Sequence, residues 1–192
     1  MNINKAIRKQ EKSNRRFLFL LSFIFLVLPF ILFLSRKVNL FFIFYLMIIE
    51  LLVLTAIIIN INSNYLKYEC DGYRLKLKLN FYKDDINIVC SKVLLVHTEG
   101  KNEKIAVILL TNSRFRSKKF SIINKNFLKV YPYVAERYYK IKKQNPEEEY
   151  FCFILTKGGY KKYRLLDMLY KTCTHAQYTE EAVENIKEYR KI

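Results

Sequence analysis

Two long apolar runs dominate the hydrophobicity pattern near the N-terminus. Residues 17–34 read FLFLLSFIFLVLPFILFL, without a charge, and residues 40–59 read LFFIFYLMIIELLVLTAIII, with one acid. At a rise of about 1.5 Å per residue, each run is long enough as a helix to cross a hydrocarbon core of about 30 Å. The link at residues 35–39 is so short that the two helices must be antiparallel neighbours. The pattern therefore predicts a transmembrane hairpin over residues 17–59.

Beyond the hairpin the pattern changes from continuous apolar to alternating. Residues 60–64 read as a short polar linker, and residues 65–69 as a strand that leads into Cys70-Asp71-Gly72. Asp-Gly between two strand-like runs is typical of a β-hairpin. Residues 73–81 alternate strictly, which predicts a half-buried strand with a basic outer face. Its inner positions are Tyr73, Leu75, Leu77, Leu79 and Phe81, and its outer ones Arg74, Lys76, Lys78 and Asn80.

The remaining pattern predicts more strands and then helices. Strand-like runs lie at residues 86–90, 93–98, 104–111, 120–123 and 150–156. Helical segments are expected at residues 132–143, where Pro132 suits a first helical position, and at residues 162–173. Thr179 is a plausible N-cap for a last helix, with acids in its first turn and cations near its end. Residues 60–192 therefore predict an α+β domain that begins with an antiparallel β meander and ends in helices.

Charge adds an orientation to this hairpin. The chain has 34 Lys and Arg against 17 Asp and Glu, a net charge of +17. A basic tail at residues 1–16 and the cations that follow the second apolar run outnumber the two in the connecting loop. By the positive-inside rule, both termini face the cytoplasm of a multi-pass cell-membrane protein. An AT-rich coding bias is an alternative source of the excess lysine. A cleaved signal peptide is not expected, because the first apolar run is too long and no small-residue cleavage site follows it.

Glu50 lies near the middle of the second apolar run. A charge at that depth costs several kcal/mol, so a neutral or paired carboxyl is expected. Pro29 removes the helical partner of the Phe25 carbonyl, which falls at nearly the same depth as Glu50. Three interpretations stay open: a hydrogen bond from protonated Glu50 to Phe25, self-association through Glu50, and an ion or proton path.

A resemblance can be stated on the segment YLKYECDGYRLKLKLNFYKDDINIVCSKVLLVHTEG that follows the apolar hairpin. A short transmembrane hairpin, a strand-Asp-Gly-strand meander and a closing helix resemble the bacterial pleckstrin-homology-like membrane proteins. The likeness covers roughly residues 17–111 and the last helix, and the chain departs from it by a helical insertion near residues 124–143 and an extra helix before the last. The resemblance implies a binding or scaffolding module, not an enzyme.

Two basic segments are the candidate binding sites for anionic lipid headgroups or a partner protein. The first is the loop that carries Arg114, Phe115, Arg116, Lys118 and Lys119, in which Phe115 could insert as a wedge. Each cation near an anionic membrane contributes about 1 kcal/mol to binding. An ordinary solvated loop is the alternative. The second segment is the outer face with Arg74, Lys76 and Lys78. Nucleic acid is not expected, because no recognition helix or RNA-binding motif is visible.

Catalytic and metal chemistry have little support in the sequence. Four cysteines, Cys70, Cys90, Cys152 and Cys173, form no CxxC pair, and with two histidines they predict no metal site and no cofactor. Cys173 and His175 are a poor candidate for a catalytic dyad. The sequence thus predicts a membrane-anchored cytoplasmic binding or scaffolding module. The alternative is a small oligomeric membrane component, channel-like or a transporter accessory, organised around Glu50.

Overall fold

The computed structural model describes residues 2–35, 39–80, 85–117 and 119–191. The chain divides into two compact units, one formed by residues 5–64 and the other by residues 65–192 with the first four residues. The first unit holds two long apolar helices. The second combines helices with mostly antiparallel strands, which confirms the helix-plus-sheet composition expected from the hydrophobicity pattern.

The two helices of the first unit are α1 (Ile3–Leu34) and α2 (Leu40–Asn64). Both are long and apolar enough to cross a membrane, by length and composition. Helix α1 begins before its apolar run and α2 ends after its own, because residues 3–16 and 60–64 contain no Pro or Gly. The expected linker at residues 60–64 is wrong, since these residues form the last turn of α2. The basic segment before residue 17 is likewise helical from Ile3 onwards.

Polar side chains join α1 and α2 beyond the apolar runs. The side-chain amide of Gln10 donates to Asn64 Oδ1 at 3.1 Å, and Asn64 Nδ2 lies 3.5 Å from Asn14 Oδ1. Asn64 Nδ2 also donates to the Asn60 carbonyl at 3.1 Å. These contacts pair the start of α1 with the end of α2, as an antiparallel hairpin requires.

The second unit contains eight strands and four α-helices among its described residues. The strands are β1 (Lys67–Cys70), β2 (Arg74–Lys78), β3 (Ile86–Val89), β4 (Val93–Glu99), β5 (Ala106–Thr111), β6 (Ser121–Ile122), β7 (Phe151–Leu155) and β8 (Gln177–Tyr178). The helices are α3 (Lys125–Val130), α4 (Pro132–Gln144), α5 (Lys161–Thr172) and α6 (Glu180–Arg190).

Strands β1, β2 and β3 form an antiparallel three-stranded sheet. Asp71 Oδ1 accepts from the backbone N–H of Tyr73 at 3.2 Å and of Arg74 at 2.7 Å, and Gly72 adopts φ +85°. These two residues close the hairpin between β1 and β2, as the Asp-Gly pair predicts. Leu75 and Leu77 are fully buried, which confirms the alternation. Tyr73 departs from it, being exposed just before β2, and Phe81 lies outside the described residues.

The other five strands form a second sheet in the order β6-β7-β5-β4-β8. Its pairs are antiparallel except that β8 runs parallel to β4. The expected single meander is therefore divided between two sheets. The divide falls at Cys90–Lys92, a 3-10 turn between β3 and β4.

The five-stranded sheet buries both of its faces. One face contributes Val96, Leu109 and Phe153 to the main core, which also contains Leu75 and Leu77 of the three-stranded sheet and the apolar stripes of α5 and α6. The opposite face contributes Leu95, Leu110 and Cys152 to a second cluster under α3 and α4, where Val134 is fully buried. Successive residues of a strand point to opposite faces, so each central strand serves both clusters.

Candidate binding surface

The outer face of the three-stranded sheet is the side turned away from the main core. Because β2 alternates, burial of Leu75 and Leu77 directs Arg74, Lys76 and Lys78 to this face, as the sequence predicts. The cross-strand register then adds β1. Lys67 lies directly opposite Lys78, and Glu69 directly opposite Lys76. Lys67 therefore belongs to the face although the pattern of β2 alone does not reveal it.

A concave depression of about 250 Å³ lies on this face. It is lined by Tyr65, Lys67, Tyr68, Glu69, Lys76, Lys78 and Asp85, and we refer to it as the sheet depression. Its lining has three ammonium groups and two carboxylates. Arg74 does not line it, and the Arg74 guanidinium instead lies 5.6 Å from the centre of the Tyr73 ring.

The charges of the sheet depression are partly paired. Lys78 Nζ lies 3.6 Å from Asp85 Oδ1, with both side chains substantially exposed, so this pair contributes little to stability. Lys67 Nζ lies 5.7 Å from the centre of the Tyr65 ring. The face expected to be simply basic therefore carries both signs of charge, with one net positive charge in the depression.

Tyr68 forms one wall of the sheet depression and also packs against the main core. Burial raises the pKa of Tyr68 to about 12, so its hydroxyl stays protonated near neutral pH. The hydrogen-bonded Asp71 turn holds the other end of the hairpin, and the backbone N–H groups of Arg74 and Tyr73 lower the pKa of the Asp71 carboxyl. The strand pair that carries this surface is therefore held at one end by the Asp71 turn and on its inner side by the packing of Tyr68 against the main core.

The basic loop after β5 differs from expectation at its aromatic residue. Arg114 and Arg116 are exposed, but Phe115 is half-buried against the main core. The Phe115 ring meets Phe120 edge to face at 5.2 Å, and Phe120 stacks on Phe153 at 5.0 Å. Phe115 is thus a packing residue in this structure, and its expected role as a membrane wedge has no support from its position.

The cations of this loop nevertheless flank a residue, Phe115, that is packed against the main core. Arg114, Phe115, Arg116 and Ser117 surround an open depression, and the Ser117 N–H donates to the Phe115 carbonyl at 2.6 Å. Lys119 is exposed, with its backbone N–H 3.3 Å from Ser117 Oγ. Lys118, which the sequence places in the same candidate site, lies outside the described residues.

Glu50 lies in the middle of α2 and is half-exposed. Over residues 2–35, 39–80, 85–117 and 119–191, the structure gives Glu50 no hydrogen bond or ion pair, and so none to the Phe25 carbonyl. The structure therefore does not support the interpretation in which Glu50 of α2 donates a hydrogen bond to the Phe25 carbonyl of α1. Its neighbours along α2 are exposed apolar side chains, including Met47 and Leu54.

Cys173 and His175, which are two positions apart in the sequence, are not brought together as a dyad. Cys173 is buried in the main core, and His175 is exposed. Burial raises the pKa of the Cys173 thiol, the opposite of what an activated nucleophile requires. Within the described part of the chain, no group of three or more His, Cys, Asp or Glu side chains could hold a metal ion.

Two buried polar residues escaped sequence reasoning. His97 on β4 lies 2.9 Å from Thr179 Oγ1 through Nδ1, and burial lowers the pKa of His97. Thr179 also accepts from the Ala182 N–H at 3.4 Å, which confirms it as the N-cap of α6. Lys162 on α5 is fully buried. Patterns of apolar residues predict that polar residues such as these are exposed. The burial of His97 and Lys162 therefore cannot be predicted from the pattern.

Comparison of the chain with protein-family models, with curated proteins and with solved structures finds no match.

Proposed function

We propose that the chain is a membrane-anchored binding or scaffolding module, whose α+β domain contacts a partner protein or anionic lipid through the outer face of the three-stranded sheet. The observation that carries this proposal is the alternation in β2, where Leu75 and Leu77 have 0% exposure and Lys76 between them is exposed. A rigid sheet that fixes its cations on one side is suited to recognising a surface rather than to catalysis. The resemblance to bacterial pleckstrin-homology-like membrane proteins gives the same class of function.

The anchor in this proposal is the hairpin of α1 and α2. None of the apolar window of either helix is buried, which is the arrangement that lipid, not water, accommodates. The excess of Lys and Arg in the N-terminal tail and just after the second apolar run supports an orientation with the N-terminal segment, the domain and the C-terminus in the cytoplasm of a multi-pass cell-membrane protein.

Anionic lipid and an acidic protein surface share the chemistry that the outer face would recognise. The cytoplasmic leaflet carries anionic headgroups, and each lysine held near it contributes about 1 kcal/mol. The basic loop with Arg114 and Arg116 supplies a second set of cations on the same domain. Neither surface has the groove-reading elements of a nucleic-acid-binding protein.

The experiment uses the full chain in nanodiscs of uncharged phosphatidylcholine and measures its capture by separate vesicles that contain an anionic lipid. Replacing Arg74, Lys76 and Lys78 by Gln should weaken capture, most strongly at low salt. Salt screens the attraction between these cations and the vesicle, whose range is only about 10 Å at 0.1 M ionic strength. A second variant, with Arg114, Arg116, Lys118 and Lys119 replaced by Gln, measures the contribution of the loop.

The matched control replaces Lys125, Lys129 and Lys143, three exposed lysines of the α3–α4 region, by Gln. If the control weakens capture as much as the outer-face variant, only net charge matters and the assigned surface is wrong. If wild type is not captured by anionic vesicles, the partner must be a protein. Photocrosslinking from position 76 in native membranes then has to yield a discrete adduct for the proposal to stand.

A second candidate function rests on Glu50. A half-exposed acid at mid-membrane, without a described partner in its own hairpin, would gain a partner by association with a second copy. This favours a small oligomeric membrane component over the intramolecular alternative.

A further inference from the structure

We propose that the sheet depression binds a phosphate ester that also carries an ammonium or hydroxyl group. This inference rests on the proposed function, because it names the ligand class that the outer face would take. A phospholipid headgroup and a small soluble phosphate ester share this chemistry. The site consists of Lys67, Lys76 and Lys78 for the phosphate, and Glu69 and Asp85 for the second group.

The argument begins with the pair Lys67 and Lys78. These residues are directly opposite across β1 and β2, where Cβ atoms are about 5 Å apart. Like charges in that arrangement destabilise a sheet. An anion bound between the two ammonium groups converts this repulsion into two charge-assisted hydrogen bonds. Lys76 lies two residues from Lys78 on the same face and supplies a third donor.

The carboxylates determine which anion fits. Glu69 lies directly opposite Lys76, and Asp85 lies 3.6 Å from Lys78, both at the rim of the depression. An anion without a donor group is repelled by these two carboxylates, and a cation without an anionic group is repelled by the three lysines. A ligand with a phosphate at one end and a donor at the other satisfies both signs. An ethanolamine phosphate is the simplest molecule of that kind.

The size and walls of the depression agree with a small polar ligand. Its volume of about 250 Å³ holds a headgroup-sized molecule but not an acyl chain or a folded peptide. Tyr65 and Tyr68 line its wall.

The test is isothermal titration calorimetry of the full chain in an uncharged detergent with two probes, O-phosphoethanolamine and inorganic phosphate. Wild type should bind O-phosphoethanolamine more tightly than inorganic phosphate. Lys67→Gln and Lys78→Gln should each weaken both probes about tenfold, as expected for loss of one charged hydrogen bond. The control pair, Lys129→Gln and Lys143→Gln on exposed helix positions, should bind both probes as wild type does.

Glu69→Gln gives the sharper readout, because the proposal predicts effects of opposite sign. Removing this carboxylate should strengthen binding of inorganic phosphate and weaken binding of O-phosphoethanolamine. A shift of both probes in the same direction would overturn the two-ended ligand. Equal binding by wild type and by the Lys67→Gln/Lys78→Gln double variant would overturn the site altogether.

The source of the ligand is decided in nanodiscs. If a lipid headgroup occupies the depression, discs that contain phosphatidylethanolamine should reduce binding of soluble O-phosphoethanolamine relative to discs of phosphatidylcholine alone. Equal binding in both discs assigns a soluble phosphate ester. The failure of this site is distinguishable from failure of the proposed function: vesicle capture that depends on Arg74, Lys76 and Lys78, without binding of either probe, retains the surface and removes the phosphate site.

Discussion

At the scale of single residues, Lys162 is the least expected feature of the domain. Lysine is rarely buried without a partner, yet this side chain is fully buried near the start of α5. Its ammonium donates to the Thr156 carbonyl at 2.6 Å and to the Glu103 carbonyl at 3.2 Å. These bonds join α5 to the end of β7 and to the 3-10 turn before β5. Burial nevertheless disfavours the charge and lowers the pKa of Lys162 to about 8.

The pKa of Lys162 predicts a pH dependence of stability. In the unfolded chain a lysine titrates near pH 10.5, so between about pH 8 and 10.5 the unfolded state binds more protons at this site than the folded state. The contribution of Lys162 to the free energy of unfolding should therefore rise with pH across this window, by at most about 3 kcal/mol. Buried thiols such as Cys173, whose pKa is raised, contribute with the opposite sign, so the Lys162 contribution is read as the difference from a variant that lacks it. Denaturant unfolding of the full chain in detergent, followed by far-ultraviolet circular dichroism, measures that difference.

The test variant for this prediction is Lys162→Met. Its control is Lys143→Met, which changes an exposed lysine. Lys162→Met leaves two buried carbonyls without a donor and should lose about 1–3 kcal/mol at pH 7. The difference between wild type and Lys162→Met should widen as the pH rises, whereas Lys143→Met should parallel wild type. A difference that is constant from pH 7 to 10.5 would show that Lys162 keeps an ordinary pKa in the folded state.

At the scale of elements, the turn between β7 and α5 depends on Gly158. Its φ is +100°, a left-handed conformation that side chains rarely adopt. A Cβ at this position would lie 2.6 Å from Leu66 Cδ2 and 2.7 Å from Leu66 Cβ. Leu66 is buried in the main core and has little room to move. This close approach lets the segment before β1 pack against the turn that starts α5.

Gly158→Ala should therefore destabilise the domain by about 2–4 kcal/mol, from backbone strain together with overpacking against Leu66. Gly72→Ala is the matched control, because Gly72 also has a positive φ of +85° but a Cβ there meets nothing within 4 Å. It should lose only about 1 kcal/mol from the backbone term. Equal losses of unfolding free energy in the two variants would contradict the proposed contact with Leu66.

Most of the elements could be predicted from the sequence, because their signals are local. The alternation of β2, the Asp71-Gly72 turn and the Thr179 cap each depend on a few consecutive residues, and all three are present. Residues 60–64 were wrongly expected to be a linker, since polar composition alone does not end a helix. The parallel pairing of β8 with β4 joins residues about 80 positions apart, for which two-residue strands carry no sequence signal.

The candidate surface could be predicted only in part. Outward lysines on β2 follow from its period of two, but the sheet depression also needs the register that sets Lys67 opposite Lys78. The role of Phe115 depends on its contact with Phe120, which a run of basic residues around one aromatic does not reveal. Pattern thus indicates which side chains face outward, and tertiary contacts decide which of them share a site.

At the scale of the whole molecule, the second candidate function predicts that assembly responds to substitution of Glu50. If this carboxyl joins two copies, Glu50→Gln keeps a hydrogen-bond donor and should retain the oligomer. Glu50→Leu should shift the chain to monomer. A membrane hydrogen bond contributes only about 0.6 kcal/mol on average, so this shift requires that the Glu50 hydrogen bonds of several copies together stabilise the oligomer. Crosslinking in lipid at matched expression measures the yield for wild type and both variants. Equal yields for all three would contradict assembly through Glu50.

We propose that the whole molecule is a two-helix membrane hairpin with the domain on the cytoplasmic side. This arrangement would explain why the apolar runs of α1 and α2 are not buried, and why Lys and Arg are more numerous in the N-terminal tail and just after the second run than in the connecting loop. Only in this orientation would the proposed binding surface face the inner leaflet and the cysteines lie in a reducing compartment.

Topology mapping tests this claim most directly. A reporter that is active only outside the cytoplasm is fused in one chain after Asn39, at the connecting loop, and in another at the C-terminus. The proposed topology predicts activity for the loop fusion and none for the C-terminal fusion, with both proteins in the membrane fraction. An inactive loop fusion together with an active C-terminal fusion would reverse the orientation, and recovery of the unfused chain in the soluble fraction would contradict the membrane hairpin itself.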